Sequence, residues 1–137
     1  MKEATQLNEE WTDIYYALHY PHNDKITHQA VRILQHIQKS SNTGIKDVAY
    51  YLAISHNTAS EHVKRLIDKG YIIKTKATED ERKVILQLTT RGENILHTNS
   101  CLDEKKLAEI FQSLTPDEKH MILKAFSLLS ERAKQCM

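Results

Sequence analysis

The residues best suited to contact a polyanion are concentrated between positions 55 and 83. One group combines short hydrogen-bonding side chains with cations at helical spacing: Ser55, His56, Asn57, Thr58, Ser60, Glu61, Lys64 and Arg65. A second group adds four more cations: Lys74, Lys76, Arg82 and Lys83. Short polar side chains can bond base edges in a major groove, and longer cations can reach phosphates. The pattern therefore indicates a surface that binds duplex DNA, although a helical hairpin with a solvated polar face would have the same composition.

Two short helices are needed to present the first group. The first is predicted over residues 45–53, with Val48, Ala49 and Leu52 facing inward. A tight turn at residues 54–57 leads to the second helix, which Ser55 or Asn57 can cap and Gly70 can end. Small and apolar residues share the inner face of this second helix: Ala59, Val63, Leu66 and Ile67. This arrangement is typical of a helix-turn-helix with its recognition helix second.

A β-hairpin is predicted directly after the recognition helix. Residues 71–75 and 84–88 are rich in β-formers and flank a polar loop over residues 77–83. A hairpin in this position can act as a wing, and a narrow minor groove attracts arginine, here Arg82. Asp80 can pair with Arg82 and order the wing. The neighbouring acids Glu79 and Glu81 repel phosphate, so a charged, solvated turn is the alternative interpretation.

Amphipathic helices are predicted on both sides of this segment. The first carries an apolar stripe up to Leu18, and a second is predicted from a Thr27 cap to Lys39. A capping box on Thr90 and Glu93 predicts a helix over residues 90–111, with a bend, and a box on Thr115 and Glu118 predicts one over residues 116–133. The expected fold class is mainly α with a small β-hairpin wing. It divides into an N-terminal dimerisation helix with its connection (residues 1–26), a winged helix-turn-helix (27–92) and C-terminal dimerisation helices (93–137).

The sequence resembles the MarR (multiple antibiotic resistance) family of bacterial regulators. The resemblance is clearest in the run from Asp80 to Gly92, DERKVILQLTTRG, which matches the wing signature Asp-x-Arg, five residues, then Leu-Thr-x-x-Gly. Residues 55–63, with the following Leu66 and residues 69–72, resemble the family's recognition helix and first strand. Residues 26–29 resemble the start of its second helix. A departure is Lys83, which stands where many relatives have a second arginine.

The resemblance implies a homodimeric, DNA-binding transcriptional regulator, with repression the expected sign of control. The recognition helices would enter two major grooves of a pseudo-palindromic operator, and Arg82 would enter the minor groove. It also suggests release by a small aromatic or amphipathic ligand bound between the dimerisation helices and the winged helix, for which Trp11, Tyr15, Tyr16 and His19 are candidate lining residues. These four side chains could equally belong to the hydrophobic core.

The terminal helices carry apolar stripes larger than one small winged helix can cover. The stripes contain Leu7, Trp11, Ile14, Tyr15 and Leu18; Leu107, Ile110, Phe111 and Leu114; and Ile122, Ala125, Phe126 and Leu129. Exposed apolar stripes of this size commonly mark an interface, which favours a dimer. Packing of these helices against each other within one chain is the alternative.

Composition and missing motifs restrict the remaining functions. The net charge is only +1, so any DNA surface must be a local patch. No apolar run approaches the length of a membrane span, and no secretory signal or disulfide framework is present, so a cytoplasmic protein is expected. No phosphate loop, hydrolase motif or metal-ligand spacing is found, so we expect neither an enzyme nor a cofactor. A protein-binding winged helix remains an alternative, as does control by zinc through the histidines or by oxidation of Cys101 or Cys136.

Overall fold

The computed structural model describes residues 1–137 and contains seven helices and one hairpin. The elements are α1 Lys2–Leu18, α2 His28–Lys39, α3 Ile45–Leu52, α4 His56–Asp68, β1 Ile72–Lys76, β2 Val84–Leu88, α5 Thr90–Ser100, α6 Glu104–Ser113 and α7 Pro116–Gln135. The strands are antiparallel, with Ile72 opposite Leu88 and Lys76 opposite Val84. The predicted class, mainly α with a small β-hairpin, is confirmed. None of the helices combines the length and the apolar character needed to cross a membrane.

Three of the predicted caps begin helices in the structure. The hydroxyl of Thr27 accepts the N–H of Ala30 at 3.1 Å, and that of Ser55 accepts the N–H of Thr58 at 3.1 Å. Thr115 and Glu118 form a reciprocal capping box, with bonds of 2.9 and 3.2 Å. These bonds satisfy amide donors that the first turn of a helix leaves without partners. They therefore determine where α2, α4 and α7 begin.

The prediction of a capping box on Thr90 is wrong. Thr89 caps α5 instead, because its hydroxyl accepts the N–H of Gly92 at 3.0 Å, and Thr90 is the first helical residue. The bent helix expected over residues 90–111 is divided into α5 and α6. A new cap at Asp103, whose carboxylate accepts the N–H of Lys105 at 2.9 Å, starts α6.

Residues 19–101 form one compact unit, which contains the hydrophobic core. Its most deeply buried side chains come from five elements and include Ile33, Leu34, Val48, Ala59, Val63, Ile72 and Leu96. Ala59 has no exposed surface, and its small side chain allows α3 and α4 to pack closely. This core fixes the recognition helix and the hairpin in one frame.

Residues 1–18 and 102–137 form the second unit. The end of α1 is held within this unit by the N–H of Asp103, which donates to the carbonyl of Leu18 at 2.7 Å. The ammonium of Lys106 also donates to the carbonyl of Ala17 at 3.4 Å. No residue of α1, α6 or α7 is buried. The functional divisions expected at residues 26 and 92 stay predictions.

Candidate DNA interface

The helix α4 separates a buried apolar face from an exposed polar face. Ala59, Val63 and Leu66 are buried. The predicted DNA-contacting residues of α4 and its cap are exposed, except Ser60, which is half-buried: Ser55, His56, Asn57, Thr58, Glu61, Lys64 and Arg65. The fold therefore leaves this face accessible to a macromolecule as large as duplex DNA.

The hydroxyls of Ser55 and Thr58 are bonded to each other at the start of α4. Ser55 donates to the oxygen of Thr58 at 2.8 Å while it accepts the N–H of Thr58. The hydroxyl proton of Thr58 is left to donate to an outside acceptor, such as a base edge or a phosphate oxygen. Ser55 therefore positions Thr58 as well as capping the helix.

The turn between α3 and α4 depends on one residue in the left-handed region. Ala53 has φ 55°, and the next residue, Ile54, donates its N–H to the carbonyl of Ala49 at 3.0 Å. This backbone bond ends α3 and redirects the chain within two residues. The start of α4 is consequently fixed to the end of α3, as a helix-turn-helix requires.

The wing tip is closed by backbone bonds and by one side-chain pair. Ala77 donates its N–H to the carbonyl of Lys83 at 2.8 Å, and Lys83 donates to the carbonyl of Asp80 at 3.0 Å. The carboxylate of Asp80 accepts both the N–H of Arg82, at 3.0 Å, and its Nε, at 3.3 Å. The pairing anticipated between these two residues is thus present, and its effect on the order of the wing stays a prediction.

Arg82 projects into solvent at the tip. Its side chain is 93% exposed, compared with 50% for Asp80. An ion pair this exposed contributes little to stability, so the guanidinium is not needed to hold the fold together. Lys74, Lys76 and Lys83 are also exposed on the hairpin, as are the acids Glu79 and Glu81.

The second half of the wing signature joins the base of the hairpin to the end of the recognition helix. Thr89 donates its hydroxyl to the carbonyl of Gly70 at 2.5 Å and its N–H to the carbonyl of Tyr71 at 3.0 Å. A Cβ on Gly92 would lie 1.9 Å from the carbonyl oxygen of Tyr71, so only glycine fits there. Gly70 has φ 80°, a conformation that glycine adopts without strain. These residues position the wing relative to α4 without facing a ligand.

A cleft between the start of α3 and the hairpin brings together three predicted DNA-contacting residues. His56, Lys74 and Lys83 line it, together with Lys46 and Asp47 from the first turn of α3. Sequence reasoning did not single out Lys46. The available signal was its place just after the Gly44 turn, on the same side of the helix-turn-helix as the hairpin.

The predicted ligand-lining residues are not gathered at one site within the terminal unit. Trp11 lines an apolar cleft between α1 and α7, of about 620 Å³, whose lining residues are Leu7, Asn8, Glu10, Trp11, Ile14, Met121, Ile122, Ala125, Phe126 and Leu129. Tyr15 lies beside Trp11 with its ring tilted by 36° and the ring centroids 6.4 Å apart, and it is not part of that lining. Tyr16 and His19 are exposed and do not line this cleft either. The ligand site therefore stays a prediction.

The structure provides no geometric support for a zinc centre or a thiol switch. No group of three or more His, Cys, Asp or Glu side chains is arranged to hold a metal ion. Neither cysteine forms a disulfide: Cys136 is exposed at the end of α7, and Cys101 is half-buried with its sulfur 3.8 Å from the hydroxyl of Ser100.

Residues 19–99 match the family model described as transcriptional regulator SarA/Rot. The chain belongs to the SarA/Rot family of transcriptional regulators. It is 25% identical to the regulator SarZ of Staphylococcus epidermidis in an alignment 113 residues long that covers 78% of this chain and 76% of SarZ. The segment that matches the family model, residues 19–99, contains the helix-turn-helix, the wing and the whole hydrophobic core.

Solved structures of MarR-type regulators have the same fold. A MarR-like regulator from Thermotoga maritima superimposes with a TM-score of 0.67 at 15% identity, over 97% of this chain and 95% of its own. Staphylococcus aureus MepR bound to ethidium bromide gives 0.62 at 17% identity, over 95% and 94%. The winged-helix fold that the resemblance to MarR-type regulators implied is confirmed. This SarA/Rot chain is a DNA-binding transcriptional regulator with a winged helix-turn-helix.

Proposed function

We propose that the protein represses transcription as a cytoplasmic homodimer bound to a pseudo-palindromic operator. In each protomer the exposed face of α4 enters the major groove, and Arg82 enters the adjacent minor groove. The observation that carries this proposal is that the residues that anchor the wing differ from the residue that it exposes at its tip. Thr89 and Gly92 fix the hairpin to the end of α4, while the guanidinium of Arg82 stays 93% exposed and available to DNA.

The proposed contacts divide into base-reading and phosphate-binding groups. Asn57 and Thr58 lie in the first turn of α4, where short side chains can reach base edges. Lys64 and Arg65 lie two turns later and have the reach for phosphates. His56, Ser60 and Glu61 complete the surface on α4, and Lys74, Lys76 and Lys83 complete it on the hairpin. Because the chain carries a net charge of only +1, this local surface must supply the attraction to DNA.

The proposed dimer rests on the apolar surface of the terminal unit. Three helices with no buried residue leave large side chains in water, among them Trp11, Met121, Leu123, Phe126 and Leu129. A second copy would cover the cleft between α1 and α7 and would also supply a second recognition helix. Two half-sites about 34 Å apart would then contact one face of the duplex. No catalytic chemistry is part of the proposal.

A small aromatic ligand is proposed to release the operator. The candidate lining residues are those that the resemblance suggests, Trp11, Tyr15, Tyr16 and His19, which all lie within residues 11–19. The MepR structure contains ethidium bromide, which is an aromatic cation. For release, the ligand must bind more tightly to a dimer whose recognition helices are wrongly spaced for DNA.

The test is fluorescence anisotropy with the intergenic DNA upstream of the protein's own coding sequence and with scrambled duplex, at several salt concentrations. We expect tight, salt-sensitive binding that prefers the upstream DNA. Arg82→Ala should weaken that binding by about tenfold, as expected for one groove contact, and leave the thermal unfolding and the dimer unchanged. Unchanged affinity of Arg82→Ala in matched buffer would show that the wing assignment is wrong.

A winged helix that binds only proteins is the second candidate function. The exposed acids Glu79, Asp80 and Glu81 at the wing tip favour it, because they repel phosphate. It predicts that neither duplex is bound even at low salt. The same titration therefore separates the two functions.

A further inference from the structure

The cleft between the start of α3 and the hairpin is lined by basic side chains from three separate elements. Its volume is about 500 Å³. Lys46 comes from α3, His56 from the first residue of α4, and Lys74 and Lys83 from the two sides of the hairpin. Asp47 is the only carboxylate among the lining residues. Three permanent positive charges against one negative charge favour an anionic occupant.

The two sides of this cleft are joined by backbone contacts. The N–H of Leu86 donates to the carbonyl of Thr43 at 2.7 Å, which joins β2 to the loop before α3. Thr43 is itself buried, and its hydroxyl bonds the carbonyl of Ser40. A Cβ on Gly44 would lie only 3.3 Å from the carbonyl oxygen of Val84, so the two backbones nearly touch. The lysines therefore project from a preorganised frame, which reduces the entropy lost when they bind.

The one carboxylate of the cleft accepts a structural hydrogen bond and keeps its negative charge. Asp47 accepts the N–H of Gly44 at 2.8 Å through Oδ2, which forms the N-terminal cap of α3. The bond accounts for the presence of Asp47 at the start of the helix, and the side-chain amide oxygen of an asparagine could accept the same bond. Its negative charge weakens the binding of any anion beside Lys46.

We propose that this cleft holds a phosphodiester of the DNA strand that separates the major groove from the minor groove, with Lys46 as its principal contact. The proposal deepens the proposed function and rests on it. If α4 occupies the major groove and the wing the adjacent minor groove, one backbone strand must pass between them. The cleft lies between the start of α3 and the hairpin, has the first residue of α4, His56, in its lining, and carries the required charge. Lys46 thus becomes a DNA-contacting residue outside both the recognition helix and the wing.

The test compares Lys46→Ala with Lys39→Ala, an exposed lysine at the end of α2 that does not line the cleft. Each phosphate contact contributes about 0.9 to the slope of log K against log salt, so extrapolation from 1 M to 0.15 M salt gives about a fivefold effect per contact. Lys46→Ala should lose about fivefold in affinity for specific and scrambled duplex alike and flatten the slope by about 0.9. Lys39→Ala should match the wild type. Equal behaviour of the two variants would overturn the inference.

Asp47→Asn provides the complementary test, because it should keep the bond to Gly44 while removing the negative charge. We expect this variant to bind both duplexes several-fold more tightly than the wild type. Weaker or unchanged binding by a variant that melts at the wild-type temperature would contradict the assignment.

Single methylphosphonate substitutions, which remove the charge of one phosphate at a time, locate the contact. One position in each half-site should weaken binding by the wild type and not by Lys46→Ala. If every position weakens both proteins equally, Lys46 does not contact the backbone. If the proposed function itself is wrong, the result is different, because the wild type would then bind no duplex even at low salt. Inorganic phosphate at constant ionic strength should not displace DNA, and displacement that depends on Lys46 would assign the cleft to free phosphate instead.

Discussion

Replacement of Gly92 by alanine tests how the wing is attached to the recognition helix. The new Cβ would lie 1.9 Å from the carbonyl oxygen of Tyr71 and 2.9 Å from its carbonyl carbon. Since ordinary contact begins near 3.4 Å, the two backbones must separate by about 1.5 Å. That displacement pulls apart the bond between the N–H of Thr89 and the carbonyl of Tyr71.

Three terms determine how much Gly92→Ala lowers the free energy of unfolding. Overpacking against backbone costs about 1–3 kcal/mol, and each of one or two lost hydrogen bonds costs about 1 kcal/mol. Alanine recovers about 1 kcal/mol through its higher helix propensity. The free energy of unfolding should therefore fall by about 3 kcal/mol, a large fraction of the stability of a small domain.

The two other glycines of the chain supply matched controls. At Gly70 a Cβ has room, 3.8 Å from Arg91, but φ is 80°, so alanine should cost about 1 kcal/mol of backbone strain. At Gly44 the Cβ would be 3.3 Å from Val84 in an ordinary conformation, so Gly44→Ala should cost less than about 1 kcal/mol.

Urea unfolding of all three variants, at one protein concentration, measures their free energies of unfolding. The expected order of destabilisation is Gly92, then Gly70, then Gly44. Because Thr89 and Gly92 hold the hairpin, Gly92→Ala should also lose DNA affinity at temperatures where it is still folded. A Gly92→Ala protein as stable as the wild type, or a Gly44→Ala protein equally damaged, would refute the account of the wing signature.

Two further predictions concern the terminal unit. Phe126→Glu puts a charge in the cleft between α1 and α7, and we expect analytical ultracentrifugation to show a shift from dimer to monomer. The control, Glu109→Gln on the exposed surface of α6, should stay dimeric. A dimeric Phe126→Glu protein would contradict the proposed interface. The N–H and the hydroxyl of Thr115 lower the pKa of Glu118, so its contribution to stability is present above its ordinary pKa of 4.5 and lost as pH falls through the lowered value. Glu118→Gln should therefore melt below the wild type near pH 7, and the difference should disappear near pH 3; a difference independent of pH would refute the role of the charge.

Local rules predicted most helix starts because their determinants are adjacent in sequence. Thr27, Ser55 and Thr115 each bond an amide three residues later, so spacing alone identifies them. The choice between Thr89 and Thr90 could not be made in this way. Thr89 is selected by tertiary bonds to Gly70 and Tyr71, which are distant along the chain.

The candidate site was predictable on α4 and less so between elements. Helical periodicity separates Ala59 and Val63 from the exposed polar face without any knowledge of the fold. Lys46 shows the opposite case. Its position beside Lys74 and Lys83 depends on the bond between Thr43 and Leu86, which brings β2 against the start of α3. No pattern within a single helix or strand contains that information.

The wing signature therefore combines two kinds of residue with different physical constraints. Thr89 and Gly92 are fixed by bonds and by a close backbone approach within the protein, so they would be required whatever DNA sequence is bound. Asp80 and Arg82 make only exposed contacts in the free protein, so under the proposed function their constraint comes from DNA. Glu79 and Glu81 belong to neither kind, because their side chains are exposed, make no bond in the free protein and would repel phosphate. Substitutions there can alter affinity and operator preference without a cost in stability, and the acidic wing tip is consequently the place where this regulator can differ from its relatives most freely.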